Sequence, residues 1–272
     1  MDKKTRKNER LWDQLSRKGV LCSRPNSKTD PEEIRESLDP YNLFGDINGK
    51  SVLCLASGGG QQSIQFALLG AEVAVVDFSE EQLKQDEKEA YNLGLDIHIV
   101  QADMRDLSAF KDTSFDIVYQ PYSINYIPQI KKLFDEIDRV MKAGGIYYLM
   151  FHNPFVHGSW KDGSWGSKWD KDDLWRGKGY PVYTPYKDGY PVKVDDPTWN
   201  FENKDGEVVK IEAPQEYKHT LSTIINSLIQ RGFTIKKFDE VRIEDGEKEE
   251  IGSWDHYVSV AAPWFHLWSQ KN

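Results

Sequence analysis

A glycine-rich turn and two acidic residues are the part of this chain best suited to chemistry. The turn, residues 56–60, follows the apolar run 52–55 and precedes an amphipathic segment. Asp77 ends a second apolar run, and Asp103 follows a third. A strand, a glycine turn and a helix bring backbone N–H groups close to a ligand. A carboxylate after the next strand can accept hydrogen bonds from both hydroxyls of a ribose. These residues therefore predict a nucleoside-binding site.

The segments around these residues alternate in the manner of an α/β fold. The sequence predicts strands at 51–56, 72–77, 97–100, 115–119 and 146–151, with helices at 61–69, 79–92 and 130–141. Further elements are predicted as a helix at 219–230 and strands at 234–243 and 256–261. Such alternation implies a parallel sheet with helices on both faces and right-handed crossovers. Its carboxyl edge would bring the turn and the acids together.

Two segments interrupt or precede this pattern. Residues 1–50 carry a short amphipathic helix at 8–18 and a second helix that begins at Asp30–Pro31 and ends near Leu38, which we interpret as an N-terminal helical cap. Residues 152–212 hold five of the nine tryptophans, and we predict an inserted lid there, between core segments 51–151 and 213–272. Each buried Trp or Tyr removes about 150–250 Å² from water, so these rings either pack together or line a pocket. We predict a hairpin from 199–202 and 208–211, and the repeated GYPV at 179 and 189 suggests another.

The stretches VLCLASGGGQQS, EVAVVD, QADM and FDIVYQP, with YKHTLSTIINSLIQRGF further on, resemble the class I S-adenosylmethionine-dependent methyltransferases of the small-molecule, methyltransferase domain 11 type. The resemblance covers residues 49–151 and returns at 217–233. It implies a Rossmann-like, doubly wound, mostly parallel sheet with an aromatic-rich insertion after strand five, and S-adenosylmethionine as cofactor. A nicotinamide dinucleotide would use the same turn and acid, but its G-x-G-x-x-G fingerprint is incomplete, with Ser63 at the third glycine.

The resemblance also implies a role for each matched residue. Asp77 would bind the ribose hydroxyls, and Asp103 would accept from the adenine amino group. The full set of implied cofactor residues is Ala56, Ser57, Gly58, Gly60, Asp77, Phe78, Asp103, Met104 and Gln120. The family turn usually reads D-x-G-x-G-x-G, whereas this chain has Cys54 for the acid and Ala56 for the first glycine. Gln61, Gln62 or backbone groups would then replace the missing carboxylate at the methionine end.

The residues that would bind the methyl acceptor are less clearly indicated than those for the cofactor. The methyl acceptor must lie in line with the methyl–sulfur bond, and a base is needed only if it loses a proton. No residue stands out as catalytic, and the candidates at the strand ends are Tyr122, Asn125 and His152. His152 is the best-placed base, although a structural histidine, hydrogen-bonded in the neck of the insertion, is the interpretation we prefer for it. We predict substrate contacts from Tyr122, Tyr126, Trp160 and Trp165. His152 and His157 lack a completing cysteine or acid cluster, so we predict no metal.

Composition and charge limit the classes of binding partner that this chain is expected to have. The net charge of −9 and the pI of about 5.3 disfavour nucleic acid. Cys22 and Cys54 are not expected to form a disulfide, and neither a signal peptide nor a membrane span is predicted. We therefore expect a cytoplasmic monomer or homodimer acting on a small molecule. The alternatives are methylation of a protein or RNA, and a nicotinamide-dependent oxidoreductase or other nucleoside binder. The aromatic residues at 264–268 either fold back onto the sheet, which we prefer, or form a dimer patch.

Overall fold

The structure, a computed structural model, describes residues 3–20, 23–26, 28–157, 184–192, 198–202 and 206–272. Within these ranges the strands are β1 (Ser51–Leu55), β2 (Glu72–Asp77), β3 (Ile97–Gln101), β4 (Phe115–Gln120), β5 (Met141–His152), β6 (Tyr190–Pro191), β7 (Thr198–Glu202), β8 (Val208–Glu212), β9 (Tyr217–Lys218), β10 (Phe233–Glu240) and β11 (Trp264–Lys271). The α-helices are α1 (Lys3–Arg17), α2 (Pro31–Leu38), α3 (Gln62–Leu68), α4 (Glu80–Leu93), α5 (Lys131–Val140), α6 (Leu221–Ile229) and α7 (Trp254–Ala261).

The central sheet has seven strands in the order β10-β11-β5-β4-β1-β2-β3. Strands β1 to β5 run parallel to one another. Val52 of β1 lies opposite Val73 of β2 and Ile117 of β4. β11 runs antiparallel to both of its neighbours, β5 and β10. The strand order reverses at β1, so the carboxyl ends of β1, β2 and β4 border a crevice. The predicted Rossmann-like, doubly wound, mostly parallel sheet is confirmed.

Apolar residues cover both faces of this sheet. One face packs against α5 and α6 through buried residues that include Phe134, Ile137 and Leu228. The other face packs against α2 and α3 through Ile34 and Phe66. Each fully buried side chain of this size contributes about 1.5–3 kcal/mol. Packing on both faces therefore fixes the strand ends relative to one another.

Helix capping follows the sequence signals closely. The carboxylate of Asp30 accepts hydrogen bonds from the backbone N–H groups of Glu32 and Glu33 at the start of α2. Ser79 caps α4 in the same way, and Gly94 ends that helix with a left-handed φ of 66°. A side-chain oxygen at the N-cap replaces a partner that the first turn lacks. The helix starts predicted at these two positions are confirmed.

The C-terminal part departs from the prediction. Residues 256–261, predicted as a strand, lie in α7, whose first turn is capped by Ser253. Short apolar runs fit both helical and strand periods, which explains the error. The final strand is instead β11, in which Phe265 and Trp268 are buried. These two rings pack within the sheet, as preferred, and Trp264 is half-buried. β5 also begins at Met141 rather than at 146.

Part of the predicted insertion lies outside the described residues, including Trp160, Trp165 and the first GYPV copy. The predicted hairpin is confirmed by β7 and β8, which pair antiparallel. In the second GYPV copy, β6 pairs with β9. Trp12 of α1 packs edge-on against Trp199 of β7 and against Tyr126, with ring centroids 6.1 and 5.4 Å apart. The division into cap, core and lid stays a prediction. Among the described helices, none has the length and apolar character that crossing a bilayer requires.

Candidate functional site

The glycine turn leaves β1 with a sharp reversal of the backbone. Gly59 and Gly60 have φ values of 104° and 70°, and Ala56 has a φ of 47°. The N–H of Ala56 still donates to the carbonyl of Val76 in β2, at 2.7 Å. A non-glycine residue in this region costs about 1–2 kcal/mol. The position at which the resembled family carries its first glycine is therefore strained here by a methyl group.

Replacing Ala56 by glycine tests this strain. We expect Ala56→Gly to raise the free energy of unfolding by up to about 1 kcal/mol, because relief of the left-handed strain exceeds the entropy that glycine adds to the unfolded chain. Urea denaturation of both proteins measures the change. The exposed Ala109, whose φ is not positive, provides the control, and Ala109→Gly should destabilise. A loss of stability in Ala56→Gly would contradict the argument.

Asp77 lies at the carboxyl end of β2 and faces the turn. One carboxylate oxygen accepts from the N–H of Gly58 at 3.0 Å, and the other accepts from the N–H of Ser79 at 2.9 Å. Asp77 is only 6 % exposed. Burial raises its pKa to about 6, against the lowering effect of these hydrogen bonds. A Cβ on Gly58 would lie 2.8 Å from Cβ of Gln82, so glycine is required there by packing within the protein itself.

Asp103 follows β3, beside Asp77. β2 and β3 pair at Asp77 and Gln101, and the N–H of Ala102 donates to the carbonyl of Asp77 at 3.0 Å. The two acids therefore lie at neighbouring strand ends, as predicted. The carboxylate of Asp103 is already engaged, since it accepts from Nε of Arg105 at 2.9 Å. Burial raises its pKa, but the hydrogen bonds from Arg105 outweigh burial and leave the pKa below its ordinary value.

The remaining predicted cofactor residues surround these acids. Phe78 is half-buried, and its carbonyl accepts from the side-chain amide of Gln101 at 3.0 Å. Gln120 is buried at the end of β4, with its Nε2 3.4 Å from Sδ of Met104. Its Oε1 accepts from the hydroxyl of Tyr147 at 2.6 Å. Positions 104 and 120, predicted from separate motifs, are therefore in direct contact.

Helix α1 lies across the carboxyl edge of the sheet. Its side chains form hydrogen bonds at three points along that edge: Thr5 with Arg105, Asn8 with the carbonyl of Tyr126, and Asp13 with Ser79. Asn8 also bonds both ways with the backbone of Gln215, at 2.9 and 2.8 Å. The helix thus connects the strand ends to the segment between β8 and β9. That the N-terminal segment serves as a cap stays a prediction.

Asp86, which the sequence pattern did not single out, binds the glycine turn. It is a fully buried carboxylate on α4. Its Oδ2 accepts from the N–H of Gly59 at 2.7 Å, and its Oδ1 accepts from the hydroxyl of Ser63. Burial raises its pKa to about 7 in spite of these bonds. The signal was present in the spacing: Asp86 lies three residues after Leu83 and four before Ala90, both of which face inward.

A cluster of polar side chains lies at the ends of β4, β5 and β9. Oε2 of Glu216 accepts from the hydroxyl of Tyr122 at 3.1 Å and lies 2.5 Å from Nε2 of His157. The rings of His152 and His157 stack, with centroids 4.2 Å apart and an interplanar angle of 13°. Lys218, only 1 % exposed, donates to the carbonyl of Pro154 at 2.9 Å. We call Tyr122, His152, His157, Glu216 and Lys218 the acceptor-side cluster.

The hydrogen bonds of the cluster fix the basic nitrogen of His152. Its Nδ1 lies 3.1 Å from the carbonyl of Asn153, which can only accept, so Nδ1 carries the proton and Nε2 keeps the lone pair. His157 is deeply buried. Its Nε2 carries the proton in the tautomer that donates a hydrogen bond to the ionised carboxylate of Glu216. Burial lowers the pKa of His152 to about 3, whereas the charge of Glu216 raises it. Both imidazoles are neutral near pH 7.

The other ionisable groups of the cluster are also shifted by burial. The pKa of Glu216 is raised, while nearby His152 and the bond from Tyr122 lower it. Burial lowers the pKa of Lys218 to about 8. Glu216 and Lys218 were missed by the sequence analysis, although the run EYKH at 216–219 is unusually rich in groups that can carry chemistry. The strand pair β6–β9, which brings this run to the site, has no clear sequence signal because each strand has two residues.

Asn125 and Tyr126 take positions that hold the cluster together. Oδ1 of Asn125 accepts from the N–H of His152 at 3.1 Å, and its Nδ2 donates to the carbonyl of Tyr217 at 3.3 Å. Tyr126 packs against Tyr122, with ring centroids 5.9 Å apart. Both polar groups of Asn125 are thus bound to backbone, which favours a structural role over the predicted catalytic one. Over the described ranges, no group of three or more His, Cys, Asp and Glu side chains is arranged to hold a metal ion.

The similarity to known proteins lies in the part of the chain that holds the glycine turn and the parallel strands. Residues 53–149 match the family described as "Methyltransferase domain". The "Uncharacterized methyltransferase YbaJ" of Bacillus subtilis is 45% identical over 117 residues, which are 43% of this chain and 46% of that protein. The "Demethylmenaquinone methyltransferase" of Clavibacter sepedonicus is 37% identical over 112 residues, 40% of this chain and 44% of that protein. The chain therefore spans less than half the length of these curated relatives.

Likeness of fold extends further than likeness of sequence. The crystal structure of an S-adenosylmethionine-dependent methyltransferase from Mesorhizobium loti superposes with a TM-score of 0.60. The match covers 90% of this chain and 99% of that one, at 17% sequence identity. It includes strands and helices beyond residues 53–149. The shared fold thus covers nearly the whole chain, whereas the sequence family covers strands β1 to β5 and the helices between them.

Proposed function

Residues 53–149 form a class I S-adenosylmethionine-dependent methyltransferase domain, as the resemblance implied, and on that premise we propose that the chain methylates an oxygen, nitrogen or sulfur atom of a small molecule. S-adenosylmethionine supplies the methyl group as part of a sulfonium, which is a good leaving group. The protein must then bind the nucleoside, orient the acceptor and exclude water.

The residues at the carboxyl edge fit an adenosine. A carboxylate has about four acceptor positions, and Asp77 uses three of them on the N–H groups of Gly58, Phe78 and Ser79. One position remains for a ribose hydroxyl. Phe78 adjoins this carboxylate and can offer a ring face to adenine. Asp103 would have to share its carboxylate between the adenine amino group and Arg105.

The observation that supports an acceptor with a removable proton is the acceptor-side cluster. The hydroxyl of Ser123, next to Tyr122, donates to the carbonyl of Leu55 at 3.4 Å, where the glycine turn begins. The cluster and the nucleoside site are therefore joined through one loop. Nε2 of His152 is placed to take the proton of an O–H, N–H or S–H group as the new bond to carbon forms. Glu216 stabilises the imidazolium that results.

The cover over the edge supports a small acceptor rather than a macromolecule. α1 and the β7–β8 hairpin pack together above the strand ends, through Trp12 and Trp199. The net charge of −9 opposes RNA. The name of one relative contains demethylmenaquinone, a small molecule, which is consistent with this choice. Cys54, free and buried, suits a reducing cytoplasm. We further propose a monomer or homodimer without nucleic acid or membrane partners.

Calorimetric titration with S-adenosylhomocysteine tests the nucleoside site. We expect a single site that saturates at micromolar concentrations, and no competing heat from NAD. Incubation with S-adenosylmethionine and a panel of catechol, thiophenol and N-methylaniline then tests transfer, with S-adenosylhomocysteine release as the readout. Selective binding of NAD, or methylation confined to added RNA or protein, would overturn the proposal.

A further inference from the structure

We propose that Asp86, on α4, is a positioning residue that fixes the glycine turn of the nucleoside site and replaces the acid absent from position 54 of β1. The inference rests on the proposed function, since the turn is taken to hold the cofactor. It assigns to one side chain the task for which the sequence offered only Gln61, Gln62 or backbone groups.

The geometry gives Asp86 direct control of the turn. Its carboxylate accepts from the N–H of Gly59 at 2.7 Å and from the hydroxyl of Ser63, the second residue of α3. The N–H of Gly60 also stabilises its charge. The preceding N–H, that of Gly58, donates to Asp77. Three consecutive N–H groups of the turn are thus held by two carboxylates, one from β2 and one from α4.

Position 54 and Asp86 serve the same region. Cys54 is buried in an apolar cluster with Phe66 of α3 and Leu83 of α4, so its side chain lies on the face from which Asp86 approaches. Burial, and then the charge of Asp86, raise the pKa of the Cys54 thiol. A carboxylate at position 54 would therefore repel the carboxylate of Asp86 in a dry interior. An acid at 54 and an acid at 86 are therefore alternatives, and this chain carries the second.

The cost of burying Asp86 supports a role in binding. A fully buried carboxylate is expensive unless it is paired or hydrogen-bonded, and Asp86 has no cationic partner in any ion pair of the described residues. The titratable groups facing it are Asp77 on β2 and Cys54 on β1, and Asp13 of α1 in turn faces Asp77. Burial raises the pKa of Asp86 to about 7. Costly charges of this kind concentrate at functional sites.

The test measures the affinity for S-adenosylhomocysteine by calorimetry at pH 8, with a melting curve for each variant. We expect Asp86→Asn to weaken binding by about tenfold, the equivalent of one lost charge-assisted hydrogen bond. Glu87→Gln, at an exposed position of the same helix, is the control and should bind like the wild type. Ser63→Ala, which removes only the hydroxyl bond, should weaken binding about threefold and decides the matter if Asp86→Asn does not fold.

A charge exchange makes the test specific. Cys54→Asp alone should lower the melting temperature, because it adds a second buried charge beside Asp86. The double variant Cys54→Asp/Asp86→Asn should bind more tightly than Asp86→Asn.

In the wild type the affinity for S-adenosylhomocysteine should rise as the pH increases through about 7, because only ionised Asp86 holds the turn. That rise should be absent in Asp86→Asn, while the one due to Asp77 near pH 6 remains. A purely structural role would leave this profile unchanged.

Two results would overturn the inference alone. One is a folded Asp86→Asn or Ser63→Ala variant that binds S-adenosylhomocysteine like the wild type. The other is a folded double variant that binds no better than Asp86→Asn. Failure of the wild type to bind S-adenosylhomocysteine would instead overturn the proposed function, and the inference with it.

Discussion

Asp77→Asn is expected to weaken the binding of S-adenosylhomocysteine about 100-fold. An ionised carboxylate can accept from a ribose hydroxyl, and a hydrogen bond to a charged group contributes about 1.5–3 kcal/mol. Loss of charge at Asp77 therefore removes about 3 kcal/mol, or two factors of ten. Calorimetric titration at pH 8 measures the change. Asp96→Asn, an exposed acid just before β3, is the matched control and should leave the affinity within twofold.

The same residue predicts a pH dependence. Burial raises the pKa of Asp77 to about 6. In the free protein Asp77 therefore becomes protonated as the pH falls through that value. A protonated carboxyl accepts fewer hydrogen bonds, and affinity should fall below pH 6 in the wild type. Asp77→Asn should show no such fall. Because Gly58 donates to Asp77, unfolding of the variant must be excluded by its melting curve. A folded Asp77→Asn protein with unchanged affinity would remove Asp77 from the site.

The sequence predicted the half of the site that rests on strand ends. Asp77 and Asp103 each follow a short apolar run, and parallel strands necessarily place such residues on one edge. The glycine at 58 was also predicted, but the reason differs, since its missing side chain leaves room for Gln82. Asp86 could not be singled out in the same way. Its spacing from Leu83 and Ala90 marks the inward face of α4, but that face carries few apolar residues in a helix rich in charged ones, so the signal is weak.

The other half of the site depends on contacts between distant segments. His152 was predicted from its place at the end of β5, but Glu216 contacts its stacking partner His157 from the far side of the insertion. The strands that bring Glu216 there have two residues each, too short for a periodic signal. The same limit explains α7, whose eight residues fit either period until Ser253 is seen to cap them. Long, periodic elements such as α5 were predicted almost to the residue.

His152→Gln is expected to lower the rate of methyl transfer by about 10²–10⁴-fold, the usual contribution of a general base. The affinity for S-adenosylhomocysteine should change little, because no cofactor residue contacts this imidazole. The measurement is the kcat for the panel acceptor that the wild type uses fastest, at saturating S-adenosylmethionine. His98→Gln, at an exposed histidine of β3, is the control and should retain the wild-type rate.

The dependence on pH separates a base from a packing role. Burial lowers the pKa of His152 to about 3, so His152 stays neutral from pH 5 upward. The wild-type kcat should therefore lack the decline near pH 6.5 that an ordinary histidine base would cause. A decline centred near pH 6.5 that disappears in His152→Gln would contradict the structure's account of its burial.

Glu216 provides the decisive comparison for this assignment. Glu216→Gln keeps the size of the side chain but removes the charge that stabilises the imidazolium, and it should lower kcat about 10–100-fold. Glu212→Gln, an exposed glutamate in β8, is the control. If Glu216 acts only through His152, the double variant should be no slower than His152→Gln alone, because residues that work as a unit are not additive. Additive losses would mean that the carboxylate meets the acceptor directly, and then Glu216 itself would be the proton acceptor.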